Sequence, residues 1–238
     1  MKKNQKELNN LYSVYLSKLI DDEKFNSYLS KDAINSPLLI GADVERGNYY
    51  ESDIKILFVG KENNGWFGLG ERNNKKTDIN DKEKYLQDLV DYYCQFNLGE
   101  KYKTPFFTFM DILIGKFKET NLNVGVLWSN LLRIDCGNDL KKEIIDIDKN
   151  QILIKEIEIL NPDLVLFLTG PNYDNYLNDT FVGVRKISIE NKGLREICML
   201  KHADLPLKAL RVYHPDYYSI LGADYRHVLA DTIKNIMQ

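Results

Sequence analysis

Cysteine is scarce in this 238-residue chain: Cys94, Cys136 and Cys198 are odd in number, far apart, and form no CxxC pair. Neither a disulfide framework nor a zinc site is expected, and the three read as buried or incidental thiols. Long apolar runs are missing too. None approaches the roughly 20 residues that span a bilayer, and the charged start, Met1-Lys2-Lys3-Asn4-Gln5-Lys6-Glu7, leads into no apolar signal-peptide core. A cytoplasmic protein with no membrane association is expected. Positive charge is not in excess either, with 32 Lys and Arg against 35 Asp and Glu and a formal net charge of -3. That balance excludes a uniformly basic nucleic-acid binder but leaves room for a local basic groove, because phosphates respond to nearby cations. The chain has no GxGxxG fingerprint, no Walker-type Gly-Lys-Ser/Thr, no internal repeat, no low-complexity tract and no linker.

What is present is the composition of a folded domain: 44% hydrophobic and 28% charged residues. Leu8, Leu11, Tyr12, Tyr15, Leu16 and Leu19 recur at three- and four-residue steps and predict a helix over about 5–30. A near-continuous apolar run, Ile54-Lys55-Ile56-Leu57-Phe58-Val59, stops at Gly60 and predicts a buried parallel strand. Residues 61–84 are rich in Asn, Gly and Lys with no apolar period, and loops of that length are often functional. Helices are expected over 85–96 and after Thr104-Pro105, the latter with Phe106, Phe109, Met110, Leu113 and Phe117 on one face. Further strands are expected at 124–132, 163–168, 184–189 and 210–213, and further helices at 152–160, 172–177 and 225–237. Apolar strands alternating with amphipathic helices imply an α/β fold with a parallel sheet covered on both faces. The chain is expected to be one domain over 1–238, with an N-terminal helical extension at about 1–50.

Ligands of such sheets bind at the carboxyl ends of the strands, so the residues just after each strand are the informative ones. Gly60-Lys61-Glu62-Asn63-Asn64-Gly65-Trp66 follows the first strand and puts an acid, two amides and an aromatic between glycines; a solvated polar turn is the plainer alternative. Asn130 closes the second strand, where its type is disfavoured by propensity; it suits either a pyrimidine edge or the tethering of a loop. His214-Pro215 follows the last strand, and Pro215 fixes the turn that presents the imidazole. His202 and His227 carry no such context.

In motif order and spacing from about Asp53 onward, the chain resembles the uracil-DNA glycosylase superfamily. Gly60-Lys61-Glu62-Asn63 is similar to the family's water-activating loop, Asn130 to its base-reading Asn, and His214-Pro215 to its His-Pro-Ser-type motif. Asn161-Pro162-Asp163-Leu164-Val165-Leu166-Phe167-Leu168 resembles its structural third strand. Two positions depart: Asn63 stands where family loops usually carry Pro, and Asp216 where Ser often follows His-Pro. The resemblance implies a three-layer α/β/α sandwich around a central, mainly parallel four-stranded sheet, and a monomeric DNA-binding enzyme with no metal or redox cofactor. The four cysteines of iron–sulfur branches are not available.

The implied chemistry is excision of a flipped-out base. Glu62 is the candidate carboxylate beside the oxocarbenium-like sugar, with Asn63 as helper or replacement. His214 is expected to donate a hydrogen bond to a carbonyl of the departing base, a contribution of about 3 to 4 kcal/mol per donor in such sites. Asn130 reads the base edge, and Trp66 or Phe67 stacks on its face, unless both are core residues. Tyr217 and Tyr218 occupy the place of the family's wedge, and Lys61, Arg72, Lys75, Lys76 and Arg133 are candidate phosphate contacts. Asn64 stands where uracil-specific members place a Tyr against the 5-position. It implies room for a larger base, such as the glucosylated hydroxymethylcytosine of some phages, and with it a role in anti-phage defence; if Asn64 instead points outward and Trp66 walls the pocket, ordinary uracil repair is the alternative. Two competing readings are a non-catalytic module that senses a nucleobase or modified DNA through the same pocket, and another hydrolase of nucleosides or nucleotides.

Overall fold

The computed structural model of the chain describes residues 3–31, 33–44, 48–63, 66, 79–136, 140–148, 152–222 and 224–237. Among the described residues six strands form one sheet: β1 (Ile54–Gly60), β2 (Val124–Asn130), β3 (Leu164–Phe167), β4 (Arg185–Ser188), β5 (Ile197–Lys201) and β6 (Ala209–Val212). Their order is β2-β1-β3-β6-β5-β4. The first four neighbours, β2, β1, β3 and β6, run parallel, while β5 and β4 are antiparallel additions beyond β6. The expected four-stranded sheet is therefore corrected to six strands. β5 was not expected: Ile197-Cys198-Met199-Leu200 is short and weak in β-branched residues, and it is held by pairing on both sides rather than by its own propensity.

Successive strand residues point to opposite faces. Ile56, Leu57, Phe58 and Val59 of β1 and Leu164 to Phe167 of β3 are all fully buried, so both faces of the sheet's centre are covered. The cover comes from helices α1 (Lys3–Ile20), α2 (Glu23–Ser30), α3 (Lys82–Phe96), α4 (Pro105–Lys118), α5 (Lys141–Ile147), α6 (Ile152–Leu160), α7 (Asp174–Thr180) and α8 (Tyr225–Met237). α1 packs on α3 and α6, and α4 packs on α8 and β2. The helix expected over 5–30 is two helices. Asp22 breaks it by adopting an extended backbone and accepting the Phe25 N–H at 2.9 Å as the N-cap of α2.

The N-terminal helix is tied into the core. Leu8, Tyr12, Leu16 and Leu19 of α1 are buried, and the Tyr12 hydroxyl donates to Glu156 of α6 at 2.6 Å while accepting the Ile40 N–H at 3.1 Å. The edge strand β2 is shielded by two devices. Tyr93 of α3 inserts its hydroxyl between the Trp128 carbonyl and N–H, at 2.8 and 2.7 Å. At Gly125 the missing side chain lets the short turn Tyr49–Glu51 cross: a Cβ there would lie 2.5 Å from the Tyr49 Cα. None of the three cysteines is in a disulfide. No described helix is long and apolar enough to cross a membrane.

Candidate functional site

Parallel pairing brings the ends of β1 and β2 together, with Gly60 opposite Asn130. The pairing continues past the strands, where the N–H groups of Leu131 and Leu132 donate to the carbonyls of Gly60 and Lys61 at 2.9 and 2.8 Å. Asn63 completes the seam: its amide donates to the Arg133 carbonyl at 2.5 Å and accepts from Asn130 Nδ2 at 2.6 Å. Asn130 Oδ1 in turn accepts the Trp128 indole N–H at 3.0 Å. These bonds account for an Asn in a strand. They hold the amide in one orientation while leaving one N–H and one lone pair uncommitted to these partners. A methyl group at Gly60 would overlap Asn130 Oδ1, so glycine is required beside it.

Over this seam opens a cleft of about 410 Å³. Its polar lining comes from three strand ends: Lys61 and Glu62 after β1, Asn130 at the end of β2, and His214 with Asp216 after β6. Its apolar wall is aromatic. Trp66 lies edge-on to Tyr92, Phe96 and Trp128 at centroid distances of 4.8, 5.3 and 5.4 Å, and Phe106 of α4 sits 6.0 Å from Trp128 and 6.5 Å from His214. Thr104 caps α4, and Pro105 at its first position aims the Phe106-Phe107 pair at the cleft. Glu62 accepts a hydrogen bond from the Tyr173 hydroxyl at 2.8 Å. The Lys61 ammonium lies 6.0 Å from the centre of that tyrosine ring.

His214 is largely buried. Its Nδ1 lies 2.9 Å from Asp216 Oδ2 and 3.4 Å from the Asp216 backbone nitrogen. Burial first, and then the nearby Lys61 ammonium, push the imidazole down to about 4, against the upward pull of the Asp216 carboxylate. The ring is therefore neutral at pH 7. A second cavity of about 170 Å³ adjoins the first through Lys61, with Thr169, Gly170, Arg195, Tyr213 and Tyr217 in its walls. Tyr217 is half-exposed at its edge.

Three sequence expectations change. Arg133, expected at phosphates, is 2% exposed and forms a two-pronged ion pair with Glu156, so it braces α6 against β2 instead. Tyr218, expected as a wedge, is 1% exposed, donates to the Tyr213 carbonyl at 2.8 Å and packs edge-on to Phe109. Asn63 is buried in the seam with both ends of its amide used, and it is not part of the cleft wall, so Glu62 is the member of the pair that faces the ligand space. Trp66 serves both readings, being buried and a wall of the cleft. Asn64, Phe67, Arg72, Lys75 and Lys76 lie outside the described residues. His202 makes a structural contact to the Val182 carbonyl at 3.0 Å, and His227 is exposed on α8.

Sequence reasoning missed Phe106, Trp128, Tyr173 and Asp216 as site residues. The sequence places Phe106 on the core face of α4, but Phe107 is the buried one and Phe106, half-buried, stands at the cleft; the adjacent pair of aromatics, of which helical periodicity assigns only one to the core, is the available signal. Among the described residues, no group of three or more His, Cys, Asp and Glu is placed to hold a metal ion. No protein-family model matches the chain, and no curated protein matches it.

Proposed function

We propose that this chain is a divergent DNA glycosylase of the uracil-DNA glycosylase type, taking an extruded base into the aromatic cleft and hydrolysing its N-glycosidic bond. One observation carries the reading. Glu62, Asn130 and His214, each just at or beyond the end of a different parallel strand, line the same cleft. An acid, an amide with unused hydrogen-bonding capacity and a neutral imidazole are what base excision asks for: charge beside the sugar and polar groups along the base edge. The cleft volume of about 410 Å³ falls within the roughly 300–1,000 Å³ common for small-molecule sites.

In this mechanism the base enters the cleft against Phe106 and the Trp66–Trp128 wall, and stacking offsets part of the cost of unstacking it from DNA. Glu62, oriented by Tyr173, stabilises the oxocarbenium-like sugar and directs water to it. The remaining Asn130 N–H meets an acceptor on the base as negative charge develops there. Lys61 and Arg195, beside the adjoining cavity, supply positive charge for the strand. A 5-substituted cytosine is the proposed target, with uracil as the smaller alternative, and defence against phages carrying modified DNA as the setting.

The test is to incubate the protein with duplex and single-stranded DNA containing uracil, 5-hydroxymethylcytosine, its glucosylated form, or ordinary bases. Released base and abasic sites are then measured. Excision of one modified base, lost in Glu62→Gln, supports the proposal. Tight binding without release on any substrate replaces it with a sensing module, and hydrolysis of free nucleosides alone replaces it with a nucleoside hydrolase.

A further inference from the structure

We propose that Asp216 sets the tautomer of His214, so that the imidazole presents Nε2 to the cleft as a hydrogen-bond acceptor and selects a base that places an exocyclic amine there, a cytosine- or adenine-type ring, over one that places a carbonyl there. The identity of the ligand as a nucleobase rests on the glycosylase reading; the tautomer does not.

The two neighbours of Nδ1 make opposite demands. The Asp216 backbone N–H, at 3.4 Å, asks for a lone pair on Nδ1. The Asp216 carboxylate, with Oδ2 at 2.9 Å, asks for a proton. A bond of the first kind is at the weak end of the distance range, whereas charge-assisted N–H to carboxylate bonds cluster near 2.7–2.9 Å and are roughly twice as strong as neutral ones. Were Nδ1 unprotonated, its lone pair and the carboxylate oxygen would face each other across 2.9 Å with no hydrogen between them. The proton therefore stays on Nδ1.

A second proton on Nε2 would restore a donor, and the surroundings oppose it. The ring is buried beside the Lys61 ammonium, and these two outweigh the Asp216 carboxylate and hold the imidazole at about 4. Phe106, its ring centre 6.5 Å from that of His214, adds no charge. One proton on Nδ1 leaves a lone pair on Nε2, the remaining polar atom of a side chain that lines the cleft. A carbonyl placed there meets lone pair against lone pair, whereas an exocyclic amine donates to it. Asn130, with one N–H still available, then serves the ring nitrogen or carbonyl of the same base. The sequence expectation that His214 donates to a base carbonyl is reversed by this assignment, and the residue responsible is the Asp that departs from Ser after His-Pro.

Two measurements on the intact chain test it. The first is the long-range ¹H–¹⁵N spectrum of His214 at pH 7, assigned by loss of its signals in His214→Gln, with the expected result a protonated Nδ1 and a pyridine-type Nε2. The second is the affinity for cytosine and uracil as free bases, followed by titration. Wild type is expected to favour cytosine by about tenfold, the factor for one mismatched hydrogen bond in a buried site. Asp216→Ala removes the carboxylate but keeps the backbone N–H of that position. Its side chain is exposed, so the fold is spared. The proton should then move to Nε2, and the preference should shift toward uracil by a similar factor. A wild-type ring protonated on Nε2, no binding of either base, or a cytosine-to-uracil ratio unchanged by Asp216→Ala would overturn the proposal. The expected spectrum and cytosine preference without any excision of DNA would uphold it and sink the glycosylase reading instead.

Discussion

Asn130 donates to Asn63 through a 2.6 Å amide–amide hydrogen bond, buried at the junction of β1 and β2. Two side chains that sequence reasoning placed side by side in the chemistry are bonded to each other, and only one of them reaches the ligand space. The loop after β1 is thereby fixed to the end of the neighbouring strand, and Glu62 is held in place by a seam in which it takes no part. Of the two alternatives for Asn130, loop anchoring is met by these bonds, and the one N–H they leave over is what the proposed base reading would use.

Asn63→Ala is expected to act on stability first. It leaves the Asn130 N–H and the Arg133 carbonyl without their partner in a buried position, a loss of about 1–3 kcal/mol. Urea unfolding should show a lowered midpoint with an unchanged slope. A variant as stable as wild type yet devoid of activity would return the water-holding role to Asn63.

Arg133→Met should destabilise the fold by about 3–5 kcal/mol, because Glu156 is then a buried carboxylate stripped of its main partner. The double variant Arg133→Met with Glu156→Leu should recover much of that loss. Any DNA affinity that survives should keep its salt slope. Lys61→Ala and Arg195→Ala, by contrast, should each reduce that slope by about one unit of log affinity per log salt. A reduced slope in the Arg133 variant would mean that this guanidinium reaches phosphate after all.

Gly60→Ala puts a methyl group where Asn130 Oδ1 sits. The amide must turn away from Asn63 and Trp128, so the variant should lose base binding by at least about tenfold and its unfolding midpoint should fall about as far as that of Asn63→Ala. Unchanged binding would show that Asn130 does not read the ligand.

The His214 imidazole is held at about 4 in the folded chain against an ordinary value of 6.5. Between those values the unfolded chain takes up a proton that the folded protein refuses. This contribution to stability is therefore complete above about pH 6.5 and is lost as pH falls toward 4. His214→Gln should flatten the stability curve across that window, measured as the difference between wild-type and variant unfolding free energies at each pH. Parallel curves would contradict the buried, neutral imidazole.

Much of the frame was legible in the chain because it rests on local pattern. Apolar runs such as Ile54 to Val59 and Leu164 to Phe167 are buried on both faces, and that is what a continuous hydrophobic run in a parallel strand means. Thr104-Pro105 at the start of α4 and Asn161-Pro162 after α6 are punctuation whose physics is confined to a few residues. The strand-end positions of Glu62, Asn130 and His214 follow from the same reading, since the carboxyl ends of parallel strands lie along one edge.

Pairing and burial belong to the tertiary structure. β5 exists because β6 and β4 lie on either side of it, and no property of Ile197 to Lys201 alone announces that. Arg133 reads as a phosphate contact until Glu156, far away in the chain, is placed against it; an arginine's role depends on whether its partner is water, phosphate or a buried carboxylate. The same holds for Asn63, whose neighbours in sequence are polar and whose neighbours in space close a seam. Sequence by itself determined which chemical groups stand at the strand ends. Only the fold decided which of them face the cleft, because orientation and hydrogen-bond partners are set by residues that meet only after the sheet has formed.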